Sequence, residues 1–282
     1  MKALLLAPLT GLALLGACTD DTVTTKADPL AKNVIDDAGL SALLLTAGDP
    51  EDAVAYFSRS LAEEPERADF RRNLALSLVR AKRLPEAVRI YDEMEQLGQS
   101  TPPDRLDHAF AALQLERWEE AQRLDASLPV AFNTARRHLL SALLADHRSD
   151  WQVADAAYAR AETLTTNPAR ILNNWGVSHQ ARGDLNGATR MFERAISFDS
   201  RMFSAKNNLA MTRGLQGNYR LPIVPLTDEE QATILYNLGL IALRKQRLGI
   251  AKGLFARAVE IHPRFYPAAS DRLAALEARV GG

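Results

Sequence analysis

Residues 169–201, ARILNNWGVSHQARGDLNGATRMFERAISFDSR, decide the fold. Leu172, Trp175 and Gly176 fall on one face of a helix, and Ala188, Phe192 and Ala195 on one face of a second. Gly183-Asp184 between them is a turn signal. Two short amphipathic segments joined this way predict a helical hairpin, and neither helix can bury its apolar stripe alone.

The same marks recur on both sides. Ala53, Ala87, Ala121, Ala154 and Ala188 are spaced by 34, 34, 33 and 34 residues, and Pro222 and Ala251 continue the series after 34 and 29. Twelve positions before each stand Ser41, Ala75, Ala109, Ala142, Gly176, Ala210 and Gly239, all small. Four positions after stand Phe57, Tyr91, Tyr158, Phe192 and Phe255. Undersized side chains in paired helices let the backbones approach, with ridges entering grooves. The aromatic one turn later is expected to fill the space against the next repeat, so that stacked hairpins make a continuous core. Gly48-Asp49 and Gly217-Asn218 mark further turns.

These columns resemble the tetratricopeptide repeat (TPR) signature from about Val34 to the end of the chain. The resemblance implies an all-α, right-handed superhelical solenoid of six to seven helix-turn-helix repeats. They begin near residues 34, 68, 102, 135, 169, 203 and 232, and a capping helix follows at 266–280. Two repeats depart from the pattern. In 102–132, Asp125 takes the aromatic place and Pro129 shortens the second helix, so this repeat is expected to open before its neighbours. In the sixth, the alanine column falls on Pro222, and the two prolines of Leu221-Pro222-Ile223-Val224-Pro225-Leu226 preclude a second helix. That strip is expected to cover the core in extended form, the other reading being an apolar strip offered to a partner. Thr227-Asp228-Glu229-Glu230 is a capping box that starts a new helix.

Composition bounds the function. With 34 basic and 35 acidic residues the formal charge is −1, which excludes the broad basic footprint of a nucleic-acid binder. A single cysteine, Cys18, excludes an intramolecular disulfide and any multi-cysteine metal site. The five histidines show no ligand spacing such as H-E-x-x-H, no phosphate-binding glycine loop exists, and the repeat geometry places no Ser or Cys nucleophile near His147 and the Asp146 before it. The adjacent pairs Glu63-Glu64, Glu119-Glu120 and Glu229-Glu230 read as solvated faces. The chain is therefore expected to be a non-enzyme without cofactor or metal.

The amino terminus is an address. Lys2 precedes an apolar run over residues 3–15, too short and too broken by Pro8 and Gly11 to span a bilayer comfortably. Leu15-Gly16-Ala17-Cys18 resembles the lipobox of bacterial lipoproteins. The resemblance implies removal of residues 1–17 and acylation of Cys18, with residues 18–33 as a polar tether. Several acyl chains anchor stably where one does so only marginally. In that family Asp after the cysteine retains the protein at the inner membrane. Here Thr19 follows, which implies a lipid anchor on the periplasmic side of the outer membrane.

A binding face is what remains. In TPR arrays the first helices line the concave side. Their fifth position carries Arg72, Asn173, Asn207 and Tyr236, and their sixth carries Asn73, Asn174, Asn208 and Asn237. Asparagine both donates and accepts, so a ladder of them suits an extended peptide backbone. In some members of the family such asparagines bind a carboxylate beside a lysine. That lysine is missing here, and Arg170 and Arg72 are the cations at hand. The other reading is that sixth-position asparagine simply bonds within its own stack.

Finally, Asn207-Asn208-Leu209-Ala210, Gly214-Leu215-Gln216-Gly217, Val224-Pro225-Leu226-Thr227 and Tyr236-Asn237-Leu238-Gly239 resemble the TadD family of TPR lipoproteins from the tight-adherence (Flp) pilus apparatus. That implies protein partners, the pilus secretin or other Tad components, and a role in secretin assembly or localisation. The alternative is an envelope scaffold recruiting peptidoglycan enzymes or outer-membrane assembly factors.

Overall fold

The computed structural model describes residues 34–264 and 266–280. The signal segment, Cys18 and the tether lie outside the described residues. Among the described residues every regular element is an α-helix, as the repeat period requires. None is long and apolar enough to cross a membrane.

The chain divides into two compact units at Asn133 and Thr134. The first contains α1 (Val34–Thr46), α2 (Pro50–Glu63), α3 (Ala68–Arg80), α4 (Leu84–Gln96), α5 (Pro102–Gln114) and α6 (Trp118–Ser127). The second contains α7 (Ala135–His147), α8 (Trp151–Thr163), α9 (Ala169–Ala181), α10 (Leu185–Phe198), α11 (Phe203–Leu215), α12 (Asp228–Arg244), α13 (Leu248–Ile261) and α14 (Pro267–Val280). At ten residues α6 is the shortest helix. Leu128, just before Pro129, is already extended at φ −72°, ψ 134°, the conformation a following proline ring enforces.

One turn device closes the hairpins. Lys82, Glu116, Ser149, Gly183, Gly217 and Gln246 all have φ between 58° and 91°. Beyond each, an N–H reaches back five residues, as in Arg83 to Leu78 (2.8 Å), Asp184 to His179 (2.9 Å) and Arg247 to Ala242 (2.8 Å). This satisfies a carbonyl that the end of the helix would leave open. The glycine signal finds two of these six positions and misses four, because neighbouring hydrogen bonds hold ordinary residues in the left-handed region. Asp49, Asp150 and Asp184 then cap the helices that follow.

The small and aromatic columns are core. Ala53, Ala87, Ala121, Ala154, Ala188 and Ala251 are wholly buried, as are Phe57, Tyr158, Phe192 and Phe255. A Cβ added to Gly176 would lie 2.5 Å from the Phe192 ring, and one on Gly239 would lie 2.5 Å from Phe255. Each ring therefore sits on the small residue of its own hairpin as well as against the next repeat, where Phe57 meets Phe70. Phe192 also shares a cluster with Ala205 and Leu209 of the following helix.

The proline strip replaces the missing helix. Tyr219, Leu221 and Leu226 pack on the core of α12 and α13, Val224 packs on that of α9 to α11, and Pro222 is buried. Ile223 points fully into solvent, and Pro225 is exposed beside it. Buried Lys206 of α11 ties the strip down, its Nζ donating to Pro225 O at 2.8 Å and to Glu230 Oε2 at 3.0 Å. Glu230 also completes the capping box with Thr227. The reading of Glu229-Glu230 as a solvated face is thus corrected for Glu230. It is corrected for Glu120 as well, which bonds to His108 at 3.1 Å.

Candidate protein-binding face

In the second unit, the first helices of successive hairpins carry a chain of amides. Asn208 on α11 donates from Nδ2 to Asn173 Oδ1 on α9 at 3.1 Å, and Asn237 on α12 donates to Asn207 Oδ1 on α11 at 2.8 Å. The sixth position of one repeat thus bonds to the fifth position of the repeat before it. All four residues are half-buried, as is Asn174, whose side chain makes no hydrogen bond among the described residues. An amide has two donor hydrogens and an acceptor oxygen with two lone pairs. Each ladder bond consumes one of each, so most of the capacity of this row is left to a ligand or to water. Bonding within the stack and availability to a peptide are therefore compatible.

The remaining expected residues fall differently. Arg170 is exposed on α9, one turn before Asn173 and Asn174. Tyr236 is half-buried and packs between Phe255 and Tyr266, at 5.7 and 5.5 Å between ring centroids, against the core of α12 and α13. Arg72 and Asn73 belong to α3 in the first unit. Asn73 makes no side-chain hydrogen bond among the described residues, whereas the Arg72 guanidinium is gripped by Asp104, with Nε to Oδ1 at 2.6 Å and Nη2 to Oδ2 at 2.9 Å. The hydrogen bond to Asp104 raises the Arg72 pKa although burial opposes it. Asp104 is buried and also accepts from Thr101 N and Oγ, so the ion pair is built into a helix cap. Its signal was the Thr101-x-x-Asp104 capping pattern, but nothing in that pattern points to Arg72, which lies a whole repeat away.

A second polar cluster, absent from the sequence reading, borders the ladder at Trp175. Trp175 Nε1 donates to Asp155 Oδ1 at 2.6 Å, and Arg182 grips both oxygens of Asp155 at 2.8 and 2.9 Å. Burial works against the Asp155 carboxylate, but these hydrogen bonds outweigh it and hold its pKa below the usual range. Nearby, Tyr158 Oη and Ser178 Oγ donate to Asp146 at 2.7 and 2.6 Å, while burial pushes that carboxyl upward. The Trp175 ring stacks on Tyr158 at 5.8 Å, which rigidifies the helix that presents Asn173 and Asn174.

Comparison with known proteins agrees with this geometry. The tetratricopeptide repeat family profile matches residues 40–102, and a second profile of the same description matches residues 169–198. The fold is that of TPR arrays. A chain of the Cut9–Hcn1 heterotetramer of the APC/C aligns with a TM-score of 0.58 at 16% identity over 84% of this chain. The alignment spans 48% of that chain, about half its length. A tetratricopeptide repeat protein from Parabacteroides merdae ATCC 43184 aligns with a TM-score of 0.56 at 16% identity, over 86% of this chain and 98% of its own. No curated protein sequence matches.

Proposed function

We propose, from the premise that this is a tetratricopeptide-repeat protein and hence a scaffold for protein–protein contacts, that it serves a tight-adherence (Flp) pilus apparatus. In this reading Cys18 is acylated and anchors the chain on the periplasmic side of the outer membrane. The repeats then hold an extended segment of the pilus secretin, or of another Tad component, during its assembly or placement. The observation that carries the binding part is the amide ladder, Asn173 to Asn208 and Asn207 to Asn237, aligned on consecutive first helices with spare hydrogen-bonding capacity. Support for the cellular part is the lipobox Leu15-Gly16-Ala17-Cys18 and the resemblance of residues 207–239 to the TadD family, proline strip included.

Capture from detergent-solubilised membranes, read by mass spectrometry, tests the reading. The expected result is recovery of secretin and Tad proteins by the wild type and their loss with the double variant Asn174→Ala, Asn208→Ala, whose helical circular dichroism shows that the stack stays folded. Recovery of peptidoglycan enzymes or outer-membrane assembly factors in their place overturns the pilus assignment. Equal recovery by the variant moves the contact off the ladder. Separately, palmitate labelling that persists in Cys18→Ala would refute the anchor.

A further inference from the structure

In the first unit, three side chains from successive helices converge: Asp92 on α4, His108 on α5 and Glu120 on α6. Their ligand atoms lie within 4.8 Å of one another. His108 Nε2 is 3.1 Å from Glu120 Oε1 and 3.8 Å from Asp92 Oδ1. Donors about 2.0–2.1 Å from a tetrahedral zinc ion stand roughly 3.4 Å apart along the edges of the tetrahedron. The two observed separations bracket that edge.

The preparation of the donors points the same way. The His108 ring is buried and stacked on Tyr91, with centroids 5.5 Å apart and planes 17° apart, so its Nε2 direction is fixed without help from a ligand. Glu120 is half-buried, and among the described residues its other oxygen faces the distant Arg117, at 3.6 Å. Asp92 is exposed, which leaves a route for an ion from solvent.

We propose that Asp92, His108 and Glu120 bind a divalent cation of the zinc class that clasps α4, α5 and α6, with water completing the coordination. One imidazole with two carboxylates suits zinc better than magnesium or calcium, which prefer oxygen alone. The location explains the use. The 102–132 repeat has Asp125 where other hairpins seat an aromatic ring, and its second helix is the ten-residue α6. A cation bridging both of its helices to the preceding repeat supplies the cross-link that the absent ring would have provided.

Zinc chloride titrated into the EDTA-stripped, dialysed full chain tests this by calorimetry and thermal melting, with magnesium and calcium chloride as comparisons. Zinc is expected to bind and raise the melting temperature, while the other two leave it in place. Glu120→Gln and Asp92→Asn keep side-chain shape and should each weaken zinc binding by at least about tenfold. His262→Gln, in the second unit, should leave it unchanged. Circular dichroism establishes that the variants are folded. Zinc affinity that survives both carboxylate substitutions, or folded wild type that binds no zinc, overturns the proposal.

Discussion

The two units fasten one first helix to the next with different chemistry. In the first, Arg72 gives two N–H groups to both oxygens of buried Asp104, and Thr101 takes further capacity of the same carboxylate. In the second, Asn208 meets Asn173 and Asn237 meets Asn207 through single amide bonds. A forked ion pair fixes geometry and leaves little for a visitor. An amide pair keeps donors and acceptors in reserve, at some loss of rigidity. The aromatic column differs in the same sense. In the second unit Tyr158, Phe192 and Phe255 are wholly buried, whereas the last hairpin of the first unit puts Asp125 at the corresponding place. The contrast is thus local: the last hairpin of the first unit lacks the ring that its counterparts seat, while the amide row of the second unit keeps part of its polar face open.

Three sets of substitutions sharpen this contrast. The largest effect is expected from Phe192→Ala, which removes a fully buried ring seated on Gly176 and should cost about 3–5 kcal/mol. A chemical denaturation curve that does not move would show that the aromatic column does not support the second unit. Next, Asp104→Ala should cost about 2–3 kcal/mol, because it strands Arg72 and opens the α5 cap. Asn208→Ala, by comparison, should cost about 0.5–1.5 kcal/mol for one half-exposed amide bond. Equal losses in the two variants would erase the distinction between a closed and an open face. The smallest effect concerns a device the units share. Lys82→Gly in the first and Gln246→Gly in the second each relieve a left-handed residue, at φ 60° and 58°. After the entropy glycine adds to the unfolded chain, each should stabilise by about 0.5 kcal/mol. A gain in one unit alone would mean that their turns are not equivalent after all.

The hairpins themselves were legible before any coordinates. Ser41, Ala75 and Gly176, with their counterparts, recur in register with the alanine and aromatic columns, and a pattern repeated that often reports backbone approach directly. Pro222 and Pro225 likewise announced that the sixth hairpin lacks its second helix, since a ring without an N–H acts locally. The candidate binding face was half legible. Asn173, Asn174, Asn207, Asn208 and Asn237 could be placed by position, whereas the packing of Tyr236 between Phe255 and Tyr266 and the capture of Arg72 by Asp104 could not.

What the chain alone determined is thus whatever recurs with the period: helices, their small and aromatic faces, and where a repeat fails. Tertiary structure decided the contacts that occur once, among them the amide pairs, the Lys206 tie to Pro225 and Glu230, and the meeting of Asp92, His108 and Glu120. The reason is physical. A column averages over many copies of one backbone geometry, while a single polar contact depends on the rotamers and separation of two particular side chains on different helices. Only packing sets those.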